Sequence, residues 1–349
     1  MSERSGGAVE RAGALADPFD REAMLAEVLT GLRRTDKRIP SKYHYDEAGS
    51  ALFDRITRLD EYYPTRTERS LLERWIPGWV EEMRPVALVE LGPGNADKSR
   101  VVLDVMTRQW AEPLYVPVDV SGDFLHAVAD GLRSEYDGLR VEPEVADIAG
   151  ELALPRELPE PTWVAFLGST LGNFEPAGAV RLLRRIAQSL RPDDRFLLGV
   201  DLRPGRHKSR ARIELAYNDR AGVTEGFSRN ILLVLNRELG SDFDPEAFRY
   251  VSFYDGRHDR IETYQESARE QVVSFPDGTE IELAAGERIR TEISAKYDRP
   301  TVDGLFTGSG LVVDRWVEDD LGYYALVLLR QGEGREPQWS CQASTKPRL

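Results

Sequence analysis

Apolar residues recur at helical spacing near the start of the chain (Met24, Leu25, Val28, Leu29, Leu32), and predict an amphipathic helix from Pro18 to Arg34. A basic linker, Thr35 to Lys42, leads into a tyrosine-rich stretch whose helical pattern is broken at Gly49 and Pro64. Short apolar runs then alternate with helical ones. Val86 to Glu90 predicts a first strand, Leu114 to Val120 a second, Leu139 to Ile148 a third, Trp163 to Leu167 a fourth and Arg195 to Asp201 a fifth, with helical patterns such as Ala179 to Leu190 between them. That alternation is the signature of an α/β fold, a doubly wound parallel sheet with helices on both faces. From Leu202 the pattern changes to a long helical stretch containing Tyr217 and Asn230. Strand-like alternations follow at Tyr250 to Tyr264, Glu270 to Phe275, Thr279 to Leu283 and Arg288 to Tyr297. This predicts an α+β lobe inserted before a terminal antiparallel hairpin, Leu311 to Val317 and Tyr323 to Arg330.

Ligands on doubly wound sheets bind beyond the C-terminal strand ends. Glu90, Gly92, Asp119, Asp147 and Asn173 all fall on that edge. Gly92 and Gly94 follow the first strand directly and let backbone approach a ligand. Ala96, Asp97 and Lys98 stand where a dinucleotide fingerprint would complete its third glycine, so a pyrophosphate ligand is not expected. An adenosine-type cofactor without phosphates fits instead, S-adenosylmethionine being the commonest on such a sheet, with Asp119 placed for ribose hydroxyls and Asp147 for adenine. Tyr45 and Tyr62 lie beside helix breaks, where a ring can leave its helix and point into a cleft, although half-buried tyrosines read the same way. Glu292 and Ser294 are two apart and share one strand face, as the residues of an exposed polar face also would.

Composition narrows the partners. With 46 basic and 60 acidic residues the formal charge is −14, which opposes binding to nucleic acid or an anionic membrane. The single cysteine, Cys341, excludes an internal disulfide framework and fits a reducing compartment, so a cytoplasmic location is expected. No apolar run has signal-peptide or membrane-spanning length. His44, His126, His207 and His258 are scattered, read as solvated or capping residues, and no metal is expected.

Six blocks in order (KYHYDEAGSALFDRITRLDEYYPTRTE, LVELGPGNADKSR, VPVDVS, FLGSTLGN, AYNDRAGVTEGFSRNILLVLNREL and TEISAKY) together resemble the histidine-specific methyltransferase family of ergothioneine biosynthesis. The resemblance spans roughly Lys37 to Arg330. It implies a class I, Rossmann-like methyltransferase that trimethylates the α-amine of L-histidine with S-adenosylmethionine, giving hercynine and S-adenosylhomocysteine. It also implies cofactor contacts at Gly92, Lys98, Asp119 and Asp147, beside Glu90 and Gly94. Tyr45, Tyr62, Asn173 and Tyr217 would surround the α-amino and α-carboxylate groups, with Tyr45, Tyr62 and Asn173 catalytic, and Glu292 and Ser294 would hold the imidazole. Thr263 stands where related enzymes carry a pocket methionine, which bears on selectivity for histidine over tryptophan.

The expected organisation is a flexible N-terminus (1–17), a helical segment contributing to the substrate lobe (18–66), a cofactor domain (67–201 and 297–330), a substrate lobe (202–296) and a flexible tail (331–349), in a monomer. Three rivals are a methyltransferase for another amino acid such as tryptophan, a nicotinamide-dependent oxidoreductase, and a non-enzymatic cofactor-binding or scaffold protein. The incomplete glycine fingerprint disfavours the second. The third leaves unexplained why polar residues converge on one cleft.

Overall fold

The computed structural model describes residues 20–150 and 157–332. The segments expected to be flexible, 1–17 and 331–349, lie outside the described residues apart from Gln331 and Gly332, as does Cys341. Helix α1 (Arg21–Leu32) starts where Asp20 accepts the Ala23 N–H at 2.9 Å, and its apolar face is buried. A short 3-10 turn, Ser41–His44, precedes α2 (Glu47–Thr57), which Asp46 caps through the Gly49 N–H at 2.8 Å. Helix α3 (Tyr63–Met83) has Pro64 in its first turn, where the missing N–H costs nothing. It runs unbroken across the boundary expected at 66/67.

The alternating core follows: β1 (Ala87–Leu91), α4 (Ser99–Gln109), β2 (Leu114–Asp119), α5 (Gly122–Glu135), β3 (Arg140–Val141), β4 (Glu144–Val145), β5 (Thr162–Phe166), α6 (Pro176–Ser189) and β6 (Arg195–Asp201). The single third strand expected over Leu139 to Ile148 is instead two short pieces, both parallel to β2. Glu142 and Pro143 separate them, and a proline cannot donate to the ladder. The second lobe contains α7 (Arg210–Tyr217), α8 (Val223–Leu239), β7 (Phe248–Asp255), β8 (Arg260–Ser267), β9 (Gln271–Ser274), β10 (Glu280–Leu283) and β11 (Arg288–Ala295). The alternation expected to run from Tyr250 to Tyr264 is a hairpin of β7 and β8, and its four-residue turn, Gly256 to Asp259, shifts the phase so that Tyr254 shares a face with Ile261 and Ser252 with Thr263. Helix α9 (Arg299–Ser309) and the hairpin β12 (Leu311–Glu318) and β13 (Tyr324–Gln331) close the chain.

The large sheet has the order β12-β13-β6-β5-β1-β2-β3, with β4 also on β2. Strands β1, β2, β5 and β6 are parallel, while β13 runs antiparallel to both β6 and β12. Every residue of β1 and β5 is buried, because apolar clusters cover both faces of the sheet. In the second lobe β11-β8-β7 form an antiparallel sheet beside the β9–β10 hairpin. Helices α1 and α8 pack with these strands into a third apolar cluster.

The second lobe enters and leaves the sheet at one place. Leu202 bridges Tyr297, the Tyr297 N–H donates to the Asp201 carbonyl at 2.9 Å, and the Arg203 N–H donates to the Tyr297 carbonyl at 2.7 Å.

Candidate active site

A cavity of about 370 Å³ opens over the C-terminal ends of β1, β2 and β5. Gly92 and Gly94 line it in left-handed conformations, φ +68° and +56°, which glycine adopts without strain. Lys98, Asp119, Asp147, Asn173, Tyr45 and Tyr62 also line it, so eight of the residues singled out in the sequence share one wall. A second cavity of about 490 Å³ lies beside it. Asn173 borders both cavities, and Glu292 borders the second.

Asp119 accepts the Ser121 N–H at 3.1 Å, and burial raises its carboxyl above the usual range although backbone donors oppose the shift. Asp147 accepts the Ala149 N–H at 2.8 Å on one oxygen and the Lys42 ammonium at 2.7 Å on the other. Lys42 also meets Glu27 of α1 at 2.9 Å and so ties the N-terminal segment to Asp147. Lys98 lines the cavity, but its ammonium donates to Glu68 at 2.7 Å. Glu68, buried in α3, accepts the Gly168 N–H at 2.9 Å and the Tyr324 hydroxyl at 2.7 Å as well, and thereby fastens the glycine loop to the loop after β5. The structure places Glu90 off the cavity wall: its buried carboxylate accepts from Ser99 and Tyr115, and burial raises its carboxyl.

Asn173 ends a short 3-10 helix, Thr170–Asn173, that packs directly on β11. Gly172 makes this possible, since a Cβ there would stand 2.8 Å from the Ala295 carbonyl oxygen and 2.9 Å from its nitrogen. On β11, Glu292 pairs with Thr263 of β8 and Ser294 with Ile261, which sets these four side chains on one face. Thr263 is buried, with its hydroxyl 3.2 Å from that of Ser252, and it borders neither cavity. Loss of water around Glu292 pushes its carboxyl up to about 7, against the opposing pull of Lys296.

Tyr45, Phe53, Phe227, Tyr62 and Tyr217 form a continuous aromatic set, with neighbouring centroids 5.4–6.3 Å apart. Burial lifts the Tyr45, Tyr62 and Tyr217 hydroxyls well above the ordinary phenol range, reinforced by Glu292 and neighbouring tyrosines at Tyr45 and Tyr62 and by Asp201 and Glu292 at Tyr217. They stay protonated and act as hydrogen-bonding groups rather than bases. His44, expected to be solvated or capping, is buried against Phe227 with ring centroids 4.8 Å apart, and burial lowers its pKa to about 4. The 3-10 turn carries it under α8, where no water remains to hydrate a charged ring. Among the described residues, Asp255, His258 and Glu262 bring possible metal-ligand atoms within 4.8 Å of one another, but Glu262 already accepts from Arg260 and Tyr264.

A profile of histidine-specific, S-adenosylmethionine-dependent methyltransferases matches residues 24–331. The chain belongs to this family. It is 36% identical to the histidine N-alpha-methyltransferase of Mycobacterium tuberculosis over 92% of this chain and 98% of that one. It is 30% identical to ergothioneine biosynthesis protein 1 of Schizosaccharomyces pombe over 71% of this chain and 32% of that longer one. A more distant relative, the L-tryptophan methyltransferase trpM of Psilocybe serbica, is 27% identical over 88% of this chain and 93% of its own length. The chain is thus an S-adenosylmethionine-dependent methyltransferase, and its sheet, parallel with a terminal antiparallel hairpin, is the class I form. Among the described residues no helix is long and apolar enough to cross a membrane.

Lys42, Glu68, Lys296 and Asp201 were not expected among the site residues. Their only signal is a charge within an otherwise ordinary helix, strand or linker, which a solvated face would also show.

Proposed function

We propose that this enzyme transfers methyl groups from S-adenosylmethionine to the α-amine of L-histidine three times, giving hercynine for ergothioneine biosynthesis. The observation that carries the reading is the pair Glu292 and Ser294 on one strand face, half-buried and buried respectively, with Asn173 bordering both cavities. A carboxylate and a hydroxyl so placed match the two ring nitrogens of an imidazole, one a donor and one an acceptor.

In this reading Asp119 takes the ribose hydroxyls, Gly92 and Gly94 give backbone access, and Lys98 and Asp147 complete the cofactor's surroundings. When bound, S-adenosylmethionine supplies an electrophilic methyl on a sulfonium, displaced in line by a neutral amine. Tyr45, Tyr62 and Asn173 hold the amine and carboxylate in that line, and such positioning is worth up to about 7–11 kcal/mol in ideal cases. The tyrosines stay protonated and take no proton from the α-amine, so histidine must reach the methyl group with that amine already neutral. Residues 18–66 and 202–296 form the substrate lobe over the cofactor domain. The enzyme works as a cytosolic monomer on a small molecule, and its charge of −14 keeps polyanions away.

Mass spectrometry after incubation with S-adenosylmethionine and each amino acid tests this. Gains of one, two and three methyl groups on histidine alone are expected. Methylation of tryptophan at a comparable rate would overturn the substrate.

A further inference from the structure

Beneath Ser294 lies a buried cluster with a fixed hydrogen-bond polarity. The Lys296 side chain is fully buried, and its ammonium meets the Asp201 carboxylate at 2.9 Å, the Tyr217 hydroxyl at 2.9 Å and the Ser294 hydroxyl at 2.8 Å. An ammonium has three protons and no acceptor, so all three are committed. The Tyr217 hydroxyl in turn donates to Ser294 Oγ at 2.8 Å, as expected of a phenol, the stronger donor of the two. Ser294 Oγ therefore accepts two hydrogen bonds, both its lone pairs are used, and its own proton must point out of the cluster. Asp201 orients Lys296, and is itself held by Tyr63 at 2.9 Å and by Lys208.

We propose that Lys296, anchored on Asp201, is a positioning residue that makes Ser294 an obligate hydrogen-bond donor, so that the site selects an imidazole presenting an unprotonated nitrogen to Ser294 and its N–H to Glu292. This rests on the reading of Glu292 and Ser294 as the imidazole clamp. Lys296 touches no substrate and acts only through the hydroxyl it polarises. Ser294 without it could rotate to accept as well as donate, and the distinction between the two ring nitrogens would weaken. Replacing Lys296 by Met leaves Asp201 paired with Lys208 as a neutral ion pair, so the buried cluster retains charge balance.

The test is a double-mutant cycle on Lys296→Met and Ser294→Ala, read as KM and kcat for histidine. S-adenosylhomocysteine affinity serves as the control for folding. Lys296→Met should raise the KM roughly tenfold with kcat within about threefold, and should add less than about twofold once Ser294 is Ala, because neighbours acting through one another are not additive. An equal loss in both backgrounds, or no loss at all, overturns the role. Should Lys296→Met not fold, the two pyrrolylalanine isomers decide, since they keep a ring N–H and lack the ring acceptor. Ser294→Ala should raise the KM for histidine and leave that for the pyrroles within about twofold. An equal rise for both would make Ser294 an acceptor and sink the proposal. If instead Glu292→Gln and Ser294→Ala both left the histidine KM unchanged, the clamp itself would have failed, a result distinct from a silent Lys296.

Discussion

At the residue scale, Glu292 carries opposed demands. A carboxyl held near 7 in the folded chain and near 4.5 when unfolded binds more protons folded between those values, so its contribution to stability falls as pH rises through that window. Above pH 7 the free enzyme bears a half-buried carboxylate whose proposed partner is the substrate ring. Glu292→Gln should therefore stabilise the ligand-free protein by about 1–3 kcal/mol at pH 8 and by almost nothing at pH 4.5, while weakening histidine binding. Denaturant melts at the two pH values check this, and an equal difference at both would show that Glu292 is solvated. Asp119 faces a simpler test. The charge-assisted bonds to ribose proposed for it would contribute about 1.5–3 kcal/mol, so calorimetry on Asp119→Ala should show at least a tenfold loss of S-adenosylhomocysteine affinity. An unchanged dissociation constant in a folded variant would remove Asp119 from the site.

At the element scale, the short helix after β5 and the strand β11 meet through Gly172, whose missing side chain lets the turn that carries Asn173 lie against the backbone of Ser294 and Ala295. Gly172→Ala forces a Cβ to 2.8 Å from a backbone oxygen, and relief of such crowding costs about 1–3 kcal/mol. The loss should fall on histidine, with KM up roughly tenfold, and leave S-adenosylhomocysteine affinity within about twofold, because the glycine loop lies on another strand. Equal losses for both ligands would show that the strain spreads through the sheet. Elements were also the scale at which the sequence was most legible. Strands β1, β2, β5 and β6 are buried on both faces and read as continuous apolar runs ending at the site. The β7–β8 hairpin was hidden because neither strand shows a clean alternation of buried and exposed residues, and β3 and β4 because two-residue strands carry no period. Glu68 looked like its exposed neighbours Arg69 and Glu73, because a helix shows its charges without showing which way they face.

At the scale of the whole molecule, the sheet and the second lobe are joined electrostatically at Asp201, the last residue of β6. Burial alone would raise its carboxyl, but Lys208 and Lys296 hold it below the usual range, and Tyr63 donates to it as well. Both lysines belong to the inserted segment, so this buried carboxylate is balanced only when the lobe is present. The lobe's two ends lie side by side at Leu202 and Tyr297, so a short linker can replace residues 203–296 without straining the sheet. Such a shortened chain would leave Asp201 beside Tyr63 with no cation, and wherever the carboxylate stays out of water a broken buried pair costs about 3–5 kcal/mol. Asp201→Asn should therefore stabilise the shortened chain and destabilise the full-length protein, where the same change strands two buried lysines. Denaturant unfolding of the four proteins reads the sign directly. If Asp201→Asn moved both chains in the same direction, the carboxylate would not be what binds the two lobes together, and their apolar contacts alone would account for the assembly.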